Sequence, residues 1–300
     1  MKKNKKIYSM ESRTDIAFDV VNTILITIMF LIVLYPLIYI VSASFSDSME
    51  VLKGKVVFFP KNVTLEAYKR VFRDKSIFSG YLNTVIYTVI GTCISLFFTV
   101  TAAYPLSRKD FKPRKVIMVF LSITMFFGGG LIPTYFVVKS LHMIDTIWSI
   151  VLLGSVSVWN IIVTRTFFES IPFELQEAAF IDGCSNIRIF FSIVLPLSAS
   201  VIAVMILFYG VYYWNSYFNA LIYLSSEDKY PLQLVLRKIM VLGQMENMVN
   251  SGTESVASQQ MAAETIKYSV IIVASVPVLV VYPFLQKYFE KGVMVGAVKG

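Results

Sequence analysis

Charge placement constrains this chain more than any other feature. Six long stretches contain no Asp, Glu, Lys or Arg: those between Asp19 and Asp47, Lys75 and Arg108, Lys115 and Lys139, Asp145 and Arg165, Arg188 and Glu227, and Lys267 and Lys287. They run for 27, 32, 23, 19, 38 and 19 residues. Crossing the hydrocarbon of a bilayer takes about 20 residues of helix, and an ionised side chain at its centre is costly. With 56% hydrophobic and only 15% charged residues, the chain cannot clothe the surface of a soluble domain of 300 residues, which excludes a soluble enzyme.

The expected fold class is therefore all-α: a polytopic membrane protein whose backbone groups are satisfied within each span. Its six transmembrane helices are expected at 18–43, 80–106, 116–138, 146–166, 194–214 and 268–287. The fifth interval exceeds one straight span, so part of it must lie in a loop or at an interface. Residues 1–17 and 288–300 are left as tails flanking a six-span transmembrane domain over 18–287.

An even number of spans puts both termini on one side. Lys2, Lys3, Lys5 and Lys6 crowd the amino terminus, and Arg108, Lys109, Lys112, Arg114 and Lys115 fill the short link between spans two and three. The bias of Lys and Arg toward the cytoplasm places both there. Against this stand Lys53, Lys55, Lys61, Lys69, Arg70, Arg73 and Lys75 in the first outside loop, interspersed with Asp47, Glu50, Glu66 and Asp74. Longer outside segments follow the bias less strictly. The same distribution accounts for the net charge of +8 without any nucleic-acid partner. The apolar run from Val20 to Val41 exceeds the core of a cleaved secretory signal, so an uncleaved anchor is expected.

Other features have plain readings. Cys93 falls inside a span and Cys184 in a loop, so the two are not expected to form a disulfide. His142 has no second metal ligand beside it, and no metal site is expected. The expected spans hold uncharged polar groups, among them Asn22, Thr23, Asn83, Thr84, Ser155, Ser157 and Asn160, which can join helices or line a path, the first being the commoner use. Ion-coupled carriers usually embed an ionisable residue, so an ion-driven secondary carrier is disfavoured and energy is expected to enter from outside the bilayer. Gly128-Gly129-Gly130 lacks the following Lys-Ser/Thr of a phosphate loop, and reads as a local helix break or a close-packing site.

The segment 168–193 between spans four and five reads as two short helices. Pro172 opens the first, with Glu174 and Glu177 toward its amino end, and Gly183 stops it. Ser185 can cap the second, whose Ile187, Phe190, Phe191 and Val194 recur on one face, and Pro196 introduces span five. On physics alone the preferred reading is simply an amphipathic cytoplasmic loop.

At these residues the chain resembles the permease subunits of ATP-binding cassette importers, whose signature is E-A-A, three residues, G, nine residues, I-x-L-P. Glu177-Ala178-Ala179, Gly183 and Ile193-Val194-Leu195-Pro196 fill all seven fixed positions at that spacing. Beyond the motif, Phe59-Pro60 to Tyr68, Asn83-Thr84, Trp214-Asn215 and the ending from Gln286-Lys287-Tyr288-Phe289 to Gly300 look like the maltose-type carbohydrate branch. The likeness is to the second permease of importers for oligosaccharides and polysaccharide fragments.

The resemblance implies a transport subunit, not an enzyme, in a bacterial plasma membrane. Its implied partners are a second, homologous permease, two cytoplasmic ATP-binding subunits, an external solute-binding protein, a carbohydrate substrate and the lipid bilayer. It implies no cofactor in this chain, with ATP and Mg held by the ATPase subunits. Glu177, Ala178, Ala179, Asp182, Gly183, Ile193, Leu195 and Pro196 would dock on an ATPase, with Ala178 and Ala179 against its surface. Trp214, Asn215 and Tyr217 are substrate-path candidates, rings stacking on sugar faces, although an interfacial aromatic belt explains them as well. A membrane scaffold that recruits a cytoplasmic partner is the alternative from another class.

Overall fold

Every element formed from these runs is a helix. The computed structural model describes residues 13–249, 266–281 and 283, and contains no strand among them. The tail lysines and the last residues of the sixth expected span lie outside the described residues. In chain order the helices are α1 (Arg13–Ser44), α2 (Ser48–Leu52), α3 (Glu66–Arg73), α4 (Lys75–Ser107), α5 (Arg114–Phe126), α6 (Leu131–Ser140), α7 (Trp148–Val151) and α8 (Val158–Glu169). They continue with α9 (Phe173–Ile181), α10 (Asn186–Ile189), a π-helical turn (Phe190–Val194), α11 (Leu195–Leu197), α12 (Ala199–Trp214), α13 (Phe218–Tyr223), α14 (Leu232–Val249) and α15 (Ile266–Val281).

One compact unit comprises Met1–Val71 and Met245–Ile272. Its α1 is exposed along nearly all its length, as suits a helix that satisfies its backbone internally in an apolar medium. The chain then folds back on the end of α1. Ser42 donates to the Phe58 carbonyl at 2.7 Å, Ser46 Oγ accepts from the Lys61 amide at 3.0 Å, and the Tyr68 hydroxyl donates to Ser44 Oγ at 2.9 Å. Ala43, Val51 and Val56 form a small core there, with Tyr39 and Tyr268 packed against it.

The other unit, Phe72–Gln244 and Val273–Gly300, is built around α4. Asp74 caps α4, accepting from the Ser76 amide at 2.8 Å, and the helix packs on α12 and α8. Close approach needs a small residue. A Cβ on Gly91 would sit 2.6 Å from the Tyr213 ring, so only glycine admits that ring. The Tyr213 hydroxyl then donates to the Val151 carbonyl at 2.7 Å and lies 2.9 Å from Ser95 Oγ, while Thr99 Oγ1 and the Tyr209 hydroxyl meet at 2.6 Å. Hydroxyls thus join helices where apolar contact has no aqueous driving force. Asn83 and Thr84 act similarly: Asn83 Nδ2 donates to the Asp228 carbonyl at 2.7 Å, and Thr84 Oγ1 accepts from the Leu232 amide at 2.8 Å.

Three expected spans differ in detail. The 116–138 span is two helices, α5 and α6, bent by 113° at Gly128-Gly129-Gly130. Gly130 has φ +81°, and nothing lies within 4 Å of a Cβ at Gly128 or Gly130, so the run is a break and not a packing site. The 146–166 span is interrupted between α7 and α8. There the Tyr212 ring leaves no room for a Cβ on Gly154, and Ser157 restarts the helix by accepting from the Asn160 amide at 3.3 Å. The fifth span begins at Ala199 and not at 194. Pro196 lacks the donor that would bond Ser192, the preceding turn widens to π geometry, and the run Asn186–Leu197 meets α12 at 81°. Among the described residues, α1 and α4 are each long and apolar enough to cross a membrane, and the two bent pairs bring the number to four if each counts as one span, against the six expected.

Candidate functional site

The segment 168–193 joins α8 to α12 and sits at the end of the bundle that carries residues 106–114. α9 ends in a Schellman arrangement: the Gly183 amide donates to the Phe180 carbonyl at 3.0 Å and the Cys184 amide to the Ala179 carbonyl at 2.9 Å. Gly183 takes the left-handed conformation this requires, φ +76°, with open space where a Cβ would be. Ser185 then caps α10, its hydroxyl accepting from the Arg188 amide at 3.3 Å. The left-handed turn at Gly183 and the Ser185 cap together set the break between the two helices.

Burial divides the candidate residues. Glu177, Ala178, Asp182, Gly183 and Pro196 are exposed, and Ile193 and Leu195 are half-buried. Ala179, expected beside Ala178 on the outer surface, is instead buried in the core with Ile171, Ile189 and Phe190. Consecutive helical residues are 100° apart, so two neighbours rarely share one contact face. The apolar face of the second helix also differs from the expected one. Ile189, Phe190 and Val194 are buried, while Ile187 and Phe191 are exposed, because one π turn brings residues five apart onto the same side. Ile181 is 86% exposed and Ile187 71%, leaving two apolar side chains beside Gly183 with little cover from this chain.

Charged groups that sequence reasoning counted only as topology signals tie this segment down. Arg165 Nε donates to the Leu106 carbonyl at 2.9 Å, satisfying an orphan acceptor at the end of α4. Its Nη2 bonds Glu169 at 2.6 Å, and Arg114 lies 3.9 Å from the same carboxylate. Arg108 is buried, forks onto Asp110 and reaches Gln176 of α9. The hydrogen bonds from Arg108 hold the Asp110 carboxyl below the usual carboxylate range.

The aromatic candidates occupy the opposite end of α12. Trp214 is buried: its indole N–H donates to the Ala274 carbonyl of α15 at 3.0 Å, and its ring meets Tyr81 edge-on. Asn215 is exposed and its Nδ2 bonds back to the Val211 carbonyl at 2.9 Å; Tyr217 is exposed under the Arg237 guanidinium, 5.1 Å from the ring centroid. Trp214 therefore joins helices, while the other two remain reachable.

At that end Asp145 organises the loop after α13. Its carboxylate accepts from the Ser225 and Ser226 amides at 3.0 Å, from Ser226 Oγ at 2.6 Å and from Lys229 Nζ at 2.7 Å. The Lys229 bond, followed by those from Ser226 and Ser225, holds its pKa far below the usual carboxylate value. A lowered folded-state pKa gives stabilisation that is fully present above the ordinary value near 4 and lost only as pH falls through the depressed one. The tether therefore persists across any physiological pH. His142 is an exposed turn residue at φ +55°, both cysteines are free, and no cluster of metal ligands occurs among the described residues.

Comparison with known proteins gives concordant findings. A family model described as "Binding-protein-dependent transport system inner membrane component" matches residues 8–295. Protein LplC of Bacillus subtilis (strain 168) is 41% identical over 283 residues, 94% of this chain and 95% of that protein. The polygalacturonan/rhamnogalacturonan transport system permease protein YtcP of the same organism is 43% identical over 272 residues, 90% of this chain and 94% of that protein. Among solved structures, a chain from the crystal structure of a bacterial ABC transporter involved in the import of the acidic polysaccharide alginate matches with a TM-score of 0.83. It is 36% identical and covers 93% of this chain and 98% of its own.

Proposed function

This chain belongs to the family of binding-protein-dependent transport system inner membrane components, and from that membership we propose how it works. It is the membrane-spanning permease subunit of an ATP-driven carbohydrate importer. With a second, homologous permease it forms a path through a bacterial plasma membrane that opens alternately to either side. Two ATPase subunits bind Mg and ATP and supply the energy from the cytoplasm, where both termini and residues 168–193 lie. An external binding protein delivers an oligosaccharide. The relatives named for polygalacturonan/rhamnogalacturonan transport and alginate import favour fragments of acidic polysaccharides.

One observation carries this reading for the molecule itself. The α9–Gly183–α10 segment is a hydrogen-bonded helix–turn–helix projection with exposed Ile181, Ile187 and Ala178 at its surface and its inner face packed into the core. Such a projection suits insertion into a cleft on a partner, so that movement of the partner displaces helices and not a flexible loop.

The test is uptake of labelled galacturonate oligosaccharides by a strain lacking this chain but retaining its partners. Uptake should fall to background, return when the gene is restored, and require ATP. Undiminished uptake of these and of neutral oligosaccharides in the deletion strain would favour a scaffold over a permease.

A further inference from the structure

We infer that Arg108 is a positioning residue that locks the coupling helix α9 to the end of α4, so that motion of the loop is delivered to the second span. The inference rests on the reading of α9 as the ATPase-facing helix. Arg108 lies just beyond the last turn of α4, with its side chain only 7% exposed. Its guanidinium makes four hydrogen bonds in three directions. Nε and Nη2 fork onto the two Asp110 oxygens at 2.9 and 2.7 Å, and Nη1 donates to the Tyr104 hydroxyl at 3.2 Å and to Gln176 Oε1 at 3.1 Å. The same group lies over Phe180, 5.0 Å from the ring centroid, and 5.8 Å from that of Tyr104.

Gln176 and Phe180 are four residues apart on α9, one helical turn, so a single guanidinium touches one face of the helix at two points. The apolar contacts of Ala179 and Ile171 hold α9 near the bundle but are non-directional. The fork onto Asp110 holds the guanidinium itself in place, and its directional bond to Gln176 together with its contact over the Phe180 ring fixes the rotation of α9 about its axis. Gln176, itself 6% exposed, faces this group and not the outer surface. A buried charge with this geometry is expensive to leave partly unpaired, which makes the joint stiff. α4 in turn bonds α12 through Ser95 and Thr99, so a tilt of α9 is passed on to two spans.

A lysine keeps the charge but cannot fork onto Asp110, reach Gln176 and stack on Phe180 together. The experiment uses the complete four-part complex in lipid nanodiscs, with Arg108→Lys, Gln176→Leu, the double variant, Gln176→Glu and Ala178→Trp. Melting temperature, capture of the ATPase subunits, and hydrolysis stimulated by loaded binding protein are read for each. Arg108→Lys and Gln176→Leu should each lower stimulated hydrolysis by about fivefold with capture within about twofold of the parent, and the double variant should lose no more than either single, because both break one joint. Gln176→Glu, which keeps the acceptor, should retain stimulation.

Losses that multiply in the double variant, or that follow a matching fall in melting temperature, would overturn the inference. Unchanged stimulation in Arg108→Lys would do so too. If Ala178→Trp impairs capture in that case, only the role of Arg108 is refuted. If Ala178→Trp also leaves capture and stimulated hydrolysis intact, the reading of α9 as the coupling helix fails with it.

Discussion

Gly183→Val should reduce uptake and binding-protein-stimulated hydrolysis to near background while leaving the permease pair assembled in the membrane. Gly183 stands at φ +76° with open space around the missing Cβ, so the cost is conformational and not steric crowding by neighbours. For a β-branched residue it amounts to about 2 kcal/mol or more. The least costly escape is to abandon the left-handed turn, which breaks the bonds from the Gly183 and Cys184 amides and swings α9 relative to α10. No span contains this residue, so insertion and pairing should persist. Asn tolerates the left-handed region better than Ala, and Ala better than Val, so residual uptake should fall in the order Gly, Asn, Ala, Val. Assaying uptake and pair assembly across that series checks both the conformation and its consequence.

Ala178→Trp and Ala179→Trp should both abolish coupling, but by routes that separate cleanly. Ala178 is exposed on α9, so an indole there leaves the bundle as stable as before and acts only where a partner must fit. Capture of the ATPase should fall by at least about tenfold, the equivalent of 1.4 kcal/mol. Ala179 is 7% exposed in a core that includes Tyr104, Phe168 and Phe190. Overpacking there costs about 1–3 kcal/mol, and the displaced α9 carries Gln176 away from Arg108. Thermal melting of the purified pair should therefore drop for Ala179→Trp and stay put for Ala178→Trp. Equal melting behaviour in the two variants would contradict the assigned faces of α9.

What the sequence disclosed follows the range of the forces involved. α1 and α4 were legible because a charge-free run needs no tertiary information to become a helix in hydrocarbon. The cap at Ser185 and the stop at Gly183 were legible because both depend on residues within six positions. The bends were less so. Gly128-Gly129-Gly130 announced a break but not its 113° angle, and the interruption near Gly154 depends on Tyr212, far along the chain. A 3.6-residue period assigned Ile187 and Phe191 to the buried face, and one π turn moved them out. Trp214 was legible only as an aromatic suited either to a sugar path or to an interfacial belt; its burial and its bond to the Ala274 carbonyl depend on another helix far along the chain. Arg108 was read as one of five positive charges marking a side of the membrane. Its pairing with Gln176, 68 residues away, leaves no local pattern to find.

The central claim is that the α9–Gly183–α10 segment is where the ATPase engages. Amide hydrogen exchange of the permease pair, with and without the ATPase subunits, tests it most directly because it alters no residue. If the claim holds, the amides from Ile181 to Arg188 should exchange at least about tenfold more slowly once the ATPase is bound, with little change along α1. Stable ATPase binding with unchanged exchange across 173–191, and new protection elsewhere, would contradict it.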